Sequence, residues 1–65
     1  MTPKVKKLFS QAMADKEFQA ELKVHEPKHY KVGLFWTLTD KLTYASIYMG
    51  WLIAKGTYDE NNFKP

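Results

Sequence analysis

Apolar positions recur at helical spacing through the first part of the chain. Val5, Leu8, Phe9, Ala12 and Met13 form one stripe, and Lys4, Lys6 and Lys7 lie on the polar side of it. Thr2 can cap the start, and Pro3 falls at the first helical position, where its missing N–H has no partner to lose. After Ala14 the pattern shifts, and Phe18 and Leu22 make an i,i+4 pair on a different face. The shift predicts a bend or break near Asp15, a residue able to cap the second piece. Residues 1–24 therefore read as an amphipathic helix that packs on a neighbour. Lying on an anionic lipid surface is the main alternative, since its lysines would suit the headgroups.

Residues 25–33, HEPKHYKVG, break the pattern and read as a connector, because Pro27 disfavours helix at Glu26. His25 and His29 have the i,i+4 spacing of a zinc pair, but Pro27 lies between them and no third ligand is near, so exposed loop histidines are expected. Tyr30–Thr39 is aromatic and Thr-rich enough to suggest a strand, but its alternation is poor and Gly33 interrupts it.

Residues 34–56 read as a second helix. Its centre, Leu42 to Ala54, is a charge-free run of 13 residues without a polar face. A membrane helix needs roughly 17–25 apolar residues, so the run is short by itself. Aromatic and lysine flanks extend it: Trp36 and Lys41 before, Lys55 and Tyr58 after, all residue types suited to a membrane interface. Thr43, Ser46, Gly50 and Ala54 gather on one side of this helix, where small residues let a partner helix approach. Tyr44, Tyr48 and Trp51 fall opposite, toward lipid or larger grooves of a complex. Residues 57–65 read as a polar tail with little reason to fold. The expected fold is all-α: a bent amphipathic N-terminal helix, one single transmembrane helix and a short polar tail.

Composition narrows the function classes. A chain of 65 residues buries little core and often needs a staple or a partner, and with no cysteine it has no disulfide and no thiolate metal site. The basic residues are ten lysines and no arginine, with a net charge of +3, which argues against specific nucleic-acid reading. No nucleophile–base pair, glycine-rich phosphate loop or metal cluster stands out. Glu17 and Glu21 have the spacing of ordinary solvated helix carboxylates. The chain reads as non-catalytic, with no cofactor and no small-molecule substrate. Residues 1–31 contain no early apolar run, so no cleavable secretory signal is expected.

Three short stretches resemble subunit VIIa of mitochondrial cytochrome c oxidase, a single-span accessory subunit. Lys6–Lys7–Leu8–Phe9 is similar to an early Lys-Leu-Phe element of that family. Pro27–Gly33 is similar to its Pro…Tyr-Leu-Lys-Gly connector, and Asp40–Lys41–Leu42–Thr43 to the Asp-x-(Leu/Ile) pattern that opens its membrane helix. Residues 10–26 would be an insertion, and the membrane helix would be shorter than the family's. The resemblance implies an accessory subunit of a respiratory complex in the mitochondrial inner membrane, with its N-terminus in the matrix. Partners would be the lipid bilayer and the core and accessory subunits, and roles would be assembly, stability or contact between complexes. The lysine bias agrees with that orientation, with seven lysines in residues 1–31 and only Lys64 in residues 56–65. The residues leave two other readings open: a small soluble helical regulator that binds proteins, of the phage-inhibitor type, and a small DNA-binding domain.

Overall fold

A computed structural model describes residues 2–33 and 35–64. Among them the chain is all-α, with helices α1 (Pro3–Ala14), α2 (Lys16–His25) and α3 (Leu38–Lys55), two short 3₁₀ turns (Pro27–His29 and Glu60–Phe63) and no strand. The strand alternative for Tyr30–Thr39 is thereby removed over its described residues. Leu34, the first residue of the expected second helix, lies outside them.

Local chemistry sets each boundary. Thr2 Oγ1 accepts from the Val5 N–H at 3.3 Å, and Pro3 opens α1. The expected break falls at Asp15, whose backbone leaves the helical region with ψ 102°. Its N–H still donates to Ala12 O, while its Oδ1 accepts from the Phe18 N–H at 3.1 Å and so starts α2. α3 opens with a capping box. Thr37 Oγ1 accepts from the Asp40 N–H at 3.1 Å, and Asp40 Oδ2 accepts from the Thr37 N–H at 3.0 Å. It closes on Gly56, whose φ of 74° is left-handed, a conformation glycine adopts without steric penalty.

The core is one cluster. α1 contributes Leu8 and Ala12, α2 contributes Phe18 and Leu22, and α3 contributes Tyr44, Ala45, Tyr48 and Leu52. Val5 and Phe9 of the expected α1 stripe pack against it half-buried, whereas Met13 is exposed. Phe18 is central: its ring meets Tyr44, Tyr48 and Trp51 edge-on at 5.7, 4.8 and 5.3 Å. Such offset aromatic contacts add to the stabilisation from area burial alone.

Two expectations are corrected here. No helix among the described residues is long and apolar enough to cross a membrane, so the transmembrane reading of residues 34–56 does not hold. The charge-free run covers only about 20 Å of helix against about 30 Å of hydrocarbon. Its apolar character has another source, since α3 lies against α1 and α2 and supplies four of the core side chains. The tail is the second correction. Phe63 of the Glu60–Phe63 turn is buried in the core and stacks on Tyr58 at 5.8 Å. Asp59 caps that turn through the Asn61 N–H, and the Lys7 ammonium donates to Lys64 O at 2.8 Å.

Candidate interaction surface

The two sides of α3 do different work. Its inner side is aromatic and tied down. The Tyr44 hydroxyl donates to Gln19 Oε1 and the Tyr48 hydroxyl to Asp15 Oδ2, each at 3.0 Å. Burial pushes the Tyr44 hydroxyl above its ordinary pKa. Burial, with the Asp15 carboxylate beside it, pushes the Tyr48 hydroxyl up to about 12. No buried side-chain polar atom among the described residues lacks a partner, so this polar–aromatic network is complete.

All three charged residues of α3 are engaged with the rest of the chain. Asp40 accepts from the Lys31 ammonium at 2.7 Å, and that bond and the Thr37 cap hold its carboxyl at about 2. The Lys41 ammonium sits over the Phe9 ring at 5.8 Å. The Lys55 ammonium reaches Glu17 at 2.8 Å and lies over Trp51 at 4.2 Å. What remains on the outer side is uncharged. Leu38, Leu42 and Ile53 are 56%, 42% and 58% exposed, and Thr39, Thr43, Ser46, Gly50 and Ala54 are exposed beside them. Leu38 and Leu42 are one turn apart, and Ile53 lies about three turns further along the same outward face; apolar side chains that share one outward face in this way are candidates for an interaction surface.

Shallow troughs border this face. On one edge Lys4, Val5 and Leu8 of α1 meet Leu42, Ala45, Ser46 and Met49. On the other, Glu21, Leu22, His25 and Glu26 in and just after α2 meet Ile47 and Trp51. Just before α3, Phe35 is 86% exposed.

The four residues expected to meet a partner helix, Thr43, Ser46, Gly50 and Ala54, therefore lie together on the open side, all four exposed. The residues expected at a membrane interface are intrachain contacts: Trp36 packs on Phe9 and Tyr44 at 5.3 and 4.9 Å, Lys41 and Lys55 are placed as above, and Tyr58 stacks on Phe63. The aromatic side, expected to meet lipid or a complex, is the side the chain keeps for its own core. Sequence reasoning missed the ridge of Leu38, Leu42 and Ile53. Its signal in the sequence is the i,i+4 spacing of Leu38 and Leu42, which a membrane segment would show equally.

Other chemistry is sparse. Among the described residues no three His, Asp or Glu side chains come together as a metal site. His25 is exposed, and His29 lines a cleft with Lys28, Lys31, Trp36, Asp40, Thr43 and Tyr44. The Lys31–Asp40 pair in that cleft serves the start of α3. Ser10 and Ser46 are exposed.

No family model, curated protein or solved structure matches this chain. The likeness to cytochrome c oxidase subunit VIIa rests on its three short stretches alone.

Proposed function

We propose that this chain is a small, non-catalytic helical regulator or adaptor that works by docking a protein partner on the outer face of α3. One observation carries the reading. Every charge on an 18-residue helix is turned to contacts within the chain, and the helix leaves Leu38, Leu42 and Ile53 in water on an uncharged face. A helix that needed only to cover its own core would carry lysine or glutamate there. Interface centres are depleted of charge in the same way, because an unpaired charge is costly to desolvate. No step of chemistry is assigned to the site. Attachment to a larger assembly is the part of the subunit VIIa expectation that this reading retains.

The test compares the wild-type chain with the double variant Leu42→Lys, Ile53→Lys. Both sites are exposed, so each change should alter stability by no more than about 0.5 kcal/mol. The wild type, immobilised and exposed to extract of its own source cells, should retain a defined protein that the variant loses. Equal retention by both would defeat the assignment of this face.

A further inference from the structure

Resting on the reading of the α3 face as a protein-docking surface, we infer that its occupant is a second copy of this chain, with the two α3 helices side by side and parallel about a twofold axis running along them. A surface pairs with itself only if it is self-complementary. The outer face of α3 has no charge, so nothing on it repels its own image.

Shape selects the orientation. At 3.6 residues per turn, Leu38, Leu42, Met49 and Ile53 form a ridge along the α1 edge of the face. The small residues Thr43, Ser46, Gly50 and Ala54 form a shallow strip toward the α2 edge. A twofold axis along the helices exchanges the two edges, so the ridge of each copy lies over the strip of the other. An axis across the helices leaves the edges unexchanged and sets ridge against ridge.

Charge selects the same orientation independently. The α1 edge carries Lys4, whose carboxylate partner among the described residues, Glu60, lies at 3.7 Å, looser than the 2.7 and 2.8 Å of the other two ion pairs found there. The α2 edge carries Glu21 and Glu26, with His25 between them. The two troughs overlap along α3, one lined there by Leu42, Ala45, Ser46 and Met49 and the other by Ile47 and Trp51. A parallel twofold keeps heights and exchanges edges, which turns the Lys4 edge of each copy toward the Glu21 and Glu26 edge of the other. The crossed arrangement would set Lys4 against Lys4 and carboxylates against carboxylates. Complementary edge charges of this kind fix register and exclude wrong pairings.

Sedimentation equilibrium of the full chain tests the inference across roughly 10 μM to 1 mM. The expected result is a monomer–dimer equilibrium that Leu42→Lys or Ile53→Lys weakens at least tenfold. Lys4→Glu should weaken it as well, and adding Glu21→Lys and Glu26→Lys to that variant should restore it. Because the chain has no cysteine, Thr39→Cys and Ile53→Cys report orientation cleanly. Each should cross-link to itself with a short bismaleimide, since parallel helices bring equal positions together. Cross-linking only between the two different variants would overturn the parallel pairing. A monomer at all concentrations, or a dimer indifferent to Leu42→Lys and Ile53→Lys, would overturn self-pairing on this face. In that event retention of another protein by the wild type, lost in the double variant, would leave the docking surface standing with a different occupant. Its absence would remove both.

Discussion

Asp15 joins three parts of the fold, and its removal is the sharpest test of how they cooperate. The residue ends α1, caps α2 through Oδ1 and accepts the Tyr48 hydroxyl on Oδ2. Asp15→Ala removes an N-cap, which costs about 1 kcal/mol. It also leaves the Tyr48 hydroxyl, on a residue only 1% exposed, without an acceptor, which costs about 1–3 kcal/mol more. The sum is about 2–4 kcal/mol, against a total stability of roughly 3–10 kcal/mol for a chain of this length. Tyr48→Phe in the wild type should cost about 1–2 kcal/mol, the value of a hydrogen bond to a charged group less the gain from burying a purely apolar ring. In the Asp15→Ala background the same change should cost almost nothing, or stabilise, because the orphaned hydroxyl disappears. The cycle should therefore show a coupling of about 1–2 kcal/mol. Urea unfolding is the assay, followed by the fluorescence of Trp36 and Trp51, which pack on Tyr44 and Tyr48 respectively. Additivity of the two changes within about 0.5 kcal/mol would refute the claim that this bond links the α1–α2 break to α3.

Two glycine substitutions should act in opposite directions. Gly50 is mid-helix with open space where a Cβ would go, so Gly50→Ala should stabilise by about 1 kcal/mol; Gly56, at φ 74°, should lose about as much on the same change, both read by thermal melts at low concentration. Phe63→Ala should destabilise by about 2–3 kcal/mol in the same melts, whereas a tail that did not pack would leave them unchanged. Stability should also fall at both ends of the pH scale. The folded Tyr48 hydroxyl is raised to about 12 from the ordinary 10.0, so its contribution is complete below pH 10 and is lost as pH rises toward 12. The folded Asp40 carboxyl is lowered to about 2 from 3.8, so its contribution is present above pH 3.8 and is lost as pH falls through 2. Tyr48→Phe should flatten the alkaline limb and Asp40→Asn the acid one, and NMR titration of the Asp40 carboxyl near 4 would contradict the assigned contacts.

Local features of this chain were decided by local residues. The Thr2 cap, the Asp15 break, the Pro27 interruption and the all-α class follow from spacing, capping chemistry and backbone restriction, none of which needs a distant partner. The grouping of Thr43, Ser46, Gly50 and Ala54 on one side of α3 is likewise a matter of helical period. Tertiary structure decided which side of α3 faces in. Hydrophobicity alone does not separate a helix in lipid from one buried against two neighbours, and Leu42–Ala54 satisfies either description. Aromatic rings beside an apolar run suit a membrane boundary as readily as a protein core, and only the positions of Phe9 and Phe18 on the other helices turn Trp36, Tyr44, Tyr48 and Trp51 inward. Phe63 lies in a stretch too polar to declare itself, and its burial depends on a surface formed by residues far earlier in the chain. The open ridge of Leu38, Leu42 and Ile53 is what remains once that inward choice is made, so it became visible only when the three helices were assembled.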